Sequence, residues 1–170
     1  MSGWWTAAFV VQWVLLAVLA VVVVALARQI GVLHLRLDPL GALEIDDEGP
    51  GLGEAPPPRN ARAAAAGSTV FVGGAGGQRL LAFVSPTCPV CERVLPSLPA
   101  AANAFGLELQ VVSDPELELA YNVPGVPFVV VFDEYGIVRS KGTVNSLEQV
   151  EGLVDTARRR MLEARELRAG

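Results

Sequence analysis

The hydrophobic positions of this 170-residue chain are distributed unevenly and divide it into four segments. After an N-terminal tail at residues 1–3 comes a continuous apolar run over residues 4–27, followed by a stretch rich in proline, glycine and alanine over residues 28–68. From residue 69 to residue 166, short apolar runs alternate with turn residues and helical spacings. This pattern predicts a transmembrane helix, a juxtamembrane segment with a flexible tether, and one folded domain.

The apolar run contains 24 residues without a formal charge, WWTAAFVVQWVLLAVLAVVVVALA. At about 1.5 Å per residue, a helix of this length reaches about 36 Å, enough to cross a hydrocarbon core of about 30 Å. A cleaved signal peptide is the alternative, because ALA at 25–27 resembles a cleavage site. The run is longer than a signal core and no Lys or Arg precedes it, so we expect a single membrane anchor.

Charge bears on the orientation of the anchor and on the class of partner. Arg28 and Arg36 follow the apolar run and no basic residue precedes it, which by the positive-inside rule favours a cytoplasmic domain. The net charge of −5 leaves no basic footprint, so nucleic acid is not an expected partner. His34 is the only histidine and is interpreted as a surface residue.

Residues 38–68 contain five prolines and five glycines, together with an acidic cluster and an alanine run. They lack aromatic residues and any sustained apolar period, which is typical of a linker. We therefore expect this part of residues 28–68 to be a flexible tether, locally stiff at its three consecutive prolines.

Within residues 69–166 the runs TVFV, RLLAFV, LELQVVS and VPFVVVF are strand candidates. A helix follows RLLAFV, and Pro96 and Pro99 should interrupt it. The stretch VPFVVVFDEYGIVRSKGTV should form a hairpin of two apolar strands that turns at residues 133–136, where Gly136 can supply a positive φ. This order predicts an α/β sandwich, in which a helix links a parallel strand pair and a hairpin follows. The closing helix should bury one stripe: Leu147, Val150, Val154, Ala157 and Met161.

Both cysteines lie in the stretch SPTCPVCERVLP, two residues apart, where a buried strand ends and a helix begins. Backbone N–H groups at a helix start stabilise a thiolate, so the pKa of Cys88 should fall below the ordinary value of about 8.5. Pro89 suits the first turn because that position needs no backbone donor. Cys91 follows one turn later, within reach of Cys88, and could resolve a mixed disulfide. The stretch therefore favours a redox dithiol.

Other interpretations of the two cysteines fit the sequence less well. A structural zinc site needs four ligands, and the chain offers two cysteines and one distant histidine. Copper carriage would favour extra Met or His ligands, but the domain has one methionine, in its last helix. A structural disulfide over so short a loop would remove little entropy from the unfolded chain. Two inert thiols are unexpected at a strand-to-helix junction, and no metal or cofactor is expected.

Several stretches together resemble the thioredoxin superfamily and, within it, the membrane-anchored MauD family of methylamine utilization proteins. They are RQIGVLHLRL with PLGAL, GEAPP, LLAFVSPTCPVCERVLP and AYNVPGVPFVVVFDEYGIVRSKGTVNSLEQVEGL, which cover most of the chain. The resemblance implies a trimmed thioredoxin-like α/β fold behind a single N-terminal transmembrane helix. It also implies a domain outside the cytoplasm that forms or protects disulfides in the small subunit of methylamine dehydrogenase.

Carried onto this sequence, the resemblance makes Cys88 the attacking thiol and Cys91 the resolving thiol of a redox pair. Pro127 becomes a cis-proline that binds the substrate backbone together with Val126. Pro89 and Val90, between the cysteines, are expected on the same substrate-binding surface. These roles imply a thiol–disulfide oxidoreductase that acts on protein substrates and exchanges electrons with a membrane or soluble redox partner.

The chain departs from the family pattern in three places. The segment between LELQVVSD and AYNVPG is shorter, so a connecting helix should be missing from the substrate-docking surface. The first hairpin should be reduced to GEAPP and TVFV. Ala82 occupies the position six before the first cysteine, where many thioredoxins carry a buried polar or acidic residue. Water, Glu92 or a partner group must then accept the proton of the dithiol.

Two further functions stay open at this point. A reductase of the cytochrome c maturation type, similar to TlpA-like proteins, would share the dithiol, although Thr87 replaces the tryptophan usual in that group. A non-catalytic module that holds a partner or a metal through its thiols is the alternative from another class. The residues between the cysteines leave oxidase, reductase and isomerase undecided. On topology, two arginines are a small bias, so we expect an extracytoplasmic domain, where protein disulfides persist.

Overall fold

The computed structural model of the chain describes residues 3–36, 47–65 and 67–169, which fall into two units, Met1–Asp38 and Pro39–Gly170. The first unit is one helix, α1 (Gly3–Arg36). Its segment Gly3–Val23 has a mean hydropathy of 2.5 and is long and apolar enough to cross a membrane. The helix contains the predicted span at residues 4–27; the side chains beyond Val23, that of His34 among them, lie outside the described part.

The second unit is built on a four-stranded sheet in the order β4-β3-β5-β6. The inner strands are β3 (Arg79–Phe83) and β5 (Phe128–Phe132), and the outer strands are β4 (Glu108–Val112) and β6 (Val138–Thr143). The strands β3 and β4 are parallel, whereas β5 pairs antiparallel with both β3 and β6. Every residue of β3 and β5 is buried, because both faces of the sheet are covered.

The predicted helix between β3 and β4 consists of two pieces, α2 (Pro89–Val94) and α3 (Leu98–Phe105), separated by a 3-10 turn at Leu95–Ser97. The interruption falls where the sequence predicted it, since Pro96 and Pro99 lack the N–H of a continuous helix. The closing helix, α5 (Leu147–Ala169), buries its predicted stripe against the sheet. Leu147 is partly buried, and four of the stripe residues are fully buried: Val150, Val154, Ala157 and Met161.

Each face of the sheet carries its own apolar layer. Alternate strand residues point to opposite faces, so Leu80 and Val129 belong to the layer under α2, α3 and α5. Leu81 and Val130 belong to the other layer, which is covered by a short helix and a second, two-stranded sheet. The α/β sandwich predicted from the order of elements is therefore confirmed.

The two-stranded sheet shows that the domain begins before residue 69, where the sequence analysis placed its start. The strand β1 (Arg59–Arg62) pairs antiparallel with β2 (Thr69–Val72), and Ala61 is buried in the second apolar layer. After β1 the chain bridges to β4 through Ala63 and Val112. The first hairpin, expected to be reduced to remnants, is therefore present.

The residues before β1 also pack on the domain, so the prediction of a tether up to residue 68 was wrong for residues 47–65. We call residues 47–54 the strap. The strap donates from the N–H of Gly49 to the carbonyl of Asn122 at 2.8 Å, and from the N–H of Gly53 to the carbonyl of Val138 at 2.9 Å. Backbone hydrogen bonds hold this segment on the domain. Because they do not depend on the side chains, the sequence shows no apolar periodicity that would have predicted the contact.

The connection between β4 and β5 contains a helix that the sequence was expected to lack. This helix, α4 (Pro115–Ala120), begins after Asp114, whose carboxylate accepts hydrogen bonds from the backbone N–H groups of Glu116 and Leu117. The same carboxylate accepts from the backbone N–H of Arg62 at 2.8 Å and so ties α4 to the hairpin. Six residues are too few to show a helical period, although Asp followed by Pro is a helix-start signal.

The turn between β5 and β6 lies at residues 133–136, as predicted. Gly136 has a φ of +76°, and a Cβ at this position would overlap the carbonyl group of Gly74. The buried carboxylate of Asp133 accepts from two backbone N–H groups of the turn and pairs with Arg139 at 2.7 Å. These contacts lie at the end of the sheet opposite the cysteines.

Candidate active site

Cys88 lies at the end of the loop that joins β3 to α2, where it caps the helix. Its backbone is extended, with φ −96° and ψ 109°, and its Sγ accepts a hydrogen bond from the backbone N–H of Cys91 at 3.2 Å. Pro89 occupies the first turn, where no backbone donor is needed. The strand-to-helix junction predicted for the first cysteine is therefore present, and its sulfur is partly exposed.

The two thiols differ in acidity. The hydrogen bond from the Cys91 side chain is the main cause that lowers the pKa of Cys88, and the backbone N–H groups of Cys91 and Val90 and the charge of Arg93 add to it. Burial, and then the hydrogen bond to Cys88, raise the pKa of Cys91 to about 11. Cys91 is also only 1% exposed. At neutral pH the first sulfur is therefore the better nucleophile and the second stays a protonated thiol.

The loop before β5 approaches Cys88 from the other side. The Sγ of Cys88 lies 3.6 Å from the carbonyl oxygen of Val126, to which the thiol can donate. The Val126–Pro127 peptide bond is cis, as the family resemblance implies, and Pro127 is buried at the start of β5. The structure thus brings this loop and the dithiol together from positions 38 residues apart in the chain.

The two residues between the cysteines have different surroundings. Pro89 is exposed beside Cys88, whereas Val90 is partly buried and packs against the apolar layer under the helices. Of this pair, Pro89 therefore offers the larger surface to an incoming chain.

Beneath α2 the apolar layer contains Ala82, which is 1% exposed. An acid is therefore absent from the position where many thioredoxins have one. The buried acid Asp133 is held in its turn by Arg139, at the other end of the sheet. Within the described ranges no three His, Cys, Asp or Glu side chains come together as metal ligands.

Two contributions to the site were not found from the sequence. Arg93, two residues beyond Cys91 in the same helix, lowers the pKa of Cys88 through its charge. A basic residue five positions after a helix-capping cysteine could have indicated, from the sequence, that the pKa of this cysteine is lowered. The second is the strap, whose hydrogen bonds to Asn122 support the loop that leads to Val126. A contact between residues 75 positions apart leaves no local signal.

Comparison with solved structures identifies the type of fold. The chain is similar to a structure from Chlorobium tepidum described as a thiol:disulfide interchange protein, DsbE, with a TM-score of 0.52 and 17% identity. The match covers 66% of this chain and 99% of the other. The fold is therefore thioredoxin-like, as the resemblance implied, with α1 preceding it. No protein-family model matches the chain.

The relatives found by sequence are more specific. The chain is 32% identical to methylamine utilization protein MauD of Paracoccus denitrificans in an alignment 184 positions long, gaps included, which covers 93% of this chain and 91% of the relative. It is 33% identical to MauD of Methylobacillus flagellatus in an alignment 183 positions long, which covers 92% of this chain and 88% of the relative. The chain belongs to the MauD family. A MauD-family chain with a thioredoxin-like fold and this dithiol is a protein thiol–disulfide oxidoreductase.

Proposed function

We propose that this MauD-family protein is a membrane-anchored oxidoreductase that exchanges disulfides with proteins outside the cytoplasm, in particular the small subunit of methylamine dehydrogenase. The asymmetry of the dithiol carries the proposal. Cys88 is partly exposed with a lowered pKa, whereas Cys91 is buried with a pKa raised to about 11. An attacking sulfur has to be accessible and ionised, and a resolving sulfur has to be shielded until the mixed disulfide forms.

In the reducing direction, the Cys88 thiolate attacks one sulfur of a substrate disulfide. A mixed disulfide forms, and the other substrate sulfur leaves as a thiolate that takes up a proton. The Cys91 thiol then loses its proton and attacks the Cys88 sulfur. The Cys88–Cys91 disulfide forms, and the substrate leaves as a dithiol that has gained two electrons and two protons. The oxidising direction consists of the same steps in reverse order.

The lowered pKa of Cys88 makes its sulfur a good leaving group, since a stable thiolate leaves a mixed disulfide quickly. This property suits donation of a disulfide to a substrate, and the reduction potential decides the net direction. A redox titration of the purified domain against glutathione measures that potential.

Four residues beside the sulfurs form the proposed substrate-binding surface. The carbonyl of Val126 lies 3.6 Å from the Cys88 sulfur, so a substrate chain that pairs with this loop would bring its own sulfur to Cys88. Pro127 fixes the backbone direction where the loop enters β5. Pro89 and Val90 form the opposite side of the same surface.

The family and the first unit support the proposed location and partner. The relatives are named methylamine utilization proteins. The segment Gly3–Val23 is long and apolar enough to hold the chain in a membrane. Protein disulfides persist outside the cytoplasm, which supports an extracytoplasmic location for a dithiol that exchanges them. A redox partner at the same location would return the dithiol to its starting oxidation state.

Trapping the mixed disulfide in cells tests the function. In a Cys91→Ser chain the second step cannot occur, so substrate should accumulate as a covalent adduct through Cys88, separable under non-reducing conditions and identifiable by mass spectrometry. Cys88→Ser and the double variant are the controls and should trap nothing. An absence of adducts in Cys91→Ser would contradict the activity. Stoichiometric metal retention without insulin reduction would favour a metal-holding module instead.

The location is tested separately from the chemistry. A membrane-impermeant maleimide should label Cys88 of the reduced chain in intact cells, and alkaline phosphatase fused to the C-terminus should be active. An inactive fusion together with labelling only after lysis would place the domain in the cytoplasm.

A further inference from the structure

One polar side chain interrupts the apolar face of the membrane segment. Gln12 is the only residue with an amide, hydroxyl or charged side chain between Ala7 and Val23. It is exposed on the surface of α1. At about 1.5 Å per residue it lies about 14 Å from Gly3 and about 17 Å from Val23, well inside a hydrocarbon core about 30 Å thick. An amide at this depth has no water to bond.

The backbone groups around Gln12 are engaged in the hydrogen bonds of α1 itself, because a helix pairs its own N–H and C=O groups. The amide therefore has to meet a polar group of another segment, or remain unsatisfied in hydrocarbon at a large cost in free energy. Polar side chains in such helices commonly hydrogen-bond across to a neighbouring helix.

The residues around Gln12 follow the spacing of a helix–helix contact. A shallow groove on the surface of the helix is lined by six residues: Ala8, Val11, Gln12, Leu15, Leu16 and Leu19. The small side chain of Ala8, one turn before Gln12, allows a second backbone to come close. Alternating steps of three and four residues, the period of a left-handed pair of helices, connect one set of positions: Trp5, Ala8, Gln12, Leu15, Leu19 and Val22.

We propose that this face of α1 binds a second copy of the same chain in the membrane, with the two Gln12 side chains hydrogen-bonded to each other. An amide both donates and accepts, so it complements an identical group across a two-fold axis. Two copies inserted with the same orientation are parallel, which places Gln12 opposite Gln12. The inference rests on the membrane anchoring in the proposed function. Its consequence is that two Cys88–Cys91 pairs are carried to one site on the membrane.

Cysteine cross-linking in the full chain tests the contact. In a Cys88→Ser, Cys91→Ser background, single substitutions Leu15→Cys and Leu19→Cys place a thiol on the proposed face. Val14→Cys and Val21→Cys place one at similar depth on the opposite face. Oxidation of native membranes with copper phenanthroline should join the first two variants into covalent dimers and leave the second two monomeric.

The role of Gln12 is tested in the same assay. Adding Gln12→Leu to the Leu15→Cys chain should weaken dimerisation about three- to tenfold, the usual effect of losing an interhelical hydrogen bond. Gln12→Asn keeps an amide and should leave dimerisation intact. Equal cross-linking on both faces, or no effect of Gln12→Leu, would overturn the proposal. An adduct with the mass of another protein would overturn the choice of partner.

Extraction with alkaline carbonate separates this inference from the anchoring on which it depends. A chain that resists extraction and never forms dimers would overturn the dimer alone. A chain released by carbonate would overturn the anchor, and the dimer with it. Neither result would affect trapping through Cys88, which reports on the oxidoreductase.

Discussion

The acidity difference between the two sulfurs predicts that an alkylating reagent modifies Cys88 and spares Cys91. The pKa of Cys91 is raised to about 11, at least two units above that of an unperturbed thiol. A rise of about two units lowers the thiolate fraction about a hundredfold at any pH well below both values. The more basic thiolate is about tenfold more nucleophilic, which leaves Cys91 about tenfold slower than an ordinary thiol. Its burial, at 1% exposure, slows the reagent further.

The pKa of Cys88 is shifted in the opposite direction, downward. Because its pKa is lowered, alkylation of Cys88 should reach its plateau at a lower pH than a free thiol does. The side-chain hydrogen bond from Cys91 is the main cause, so Cys91→Ala should move the apparent pKa of Cys88 upward. Cys91→Ser keeps a hydroxyl donor at the same place and should shift it less.

The assay is the rate of iodoacetamide modification of the reduced chain over a pH series, with the modified cysteine identified by mass spectrometry. Equal rates at the two sulfurs in the folded chain would refute the asymmetry. An unchanged apparent pKa of Cys88 in Cys91→Ala would refute the cause given for it, since the backbone N–H of residue 91 is present in all three chains.

Three further predictions concern the stability of residues 39–170 in urea. Gly136→Ala should cost about 1–3 kcal/mol because it combines a positive φ with an overlap, whereas Gly77→Ala, which has open space, should be nearly neutral. Asp114→Ala should cost about 1 kcal/mol through loss of the helix cap. The hydrogen bond from the backbone of Arg62 lowers the pKa of Asp114. The ionised carboxylate should therefore add to the free energy of unfolding above pH 3.8, and this addition should be lost as the pH falls below that value. Asp114→Asn should lack this pH dependence. Starting the chain at residue 69 removes five backbone hydrogen bonds to the rest of the domain besides the β1–β2 ladder, about 3–7 kcal/mol, so the fragment should lose its cooperative unfolding transition. A stable fragment would contradict the stabilising role of the strap and β1 together.

The sheet, α5 and the broken first helix could be predicted because their signals are local. Apart from Arg79 at the start of β3, each inner strand is a continuous apolar run, and the stripe of α5 repeats at the helical period. Pro96 and Pro99 determine where the helix breaks through their missing donors. The strap and β1 could not be found in this way, since their backbone groups, rather than large apolar side chains, hold them on the domain.

The candidate site could be predicted in part. The spacing of Cys88 and Cys91 at a strand-to-helix junction indicates a reactive pair, and the resemblance added Pro127. From the sequence, only the lowered pKa of Cys88 could be predicted. The raised pKa of Cys91 depends on how deeply the fold buries it, and burial of one residue in a short helix does not follow from its neighbours in the chain.

The strap joins two parts of the molecule that would otherwise respond separately to force. It begins the described part of the second unit, and Asn122 bonds to it twice: the carbonyl of Asn122 accepts from the N–H of Gly49, and its amide donates to the carbonyl of Asp47. Asn122 begins the loop that carries Val126 to the Cys88 sulfur. Tension along the polypeptide from a fixed N-terminal helix would therefore load those two bonds first, and the loop beside the dithiol would be the next part to yield.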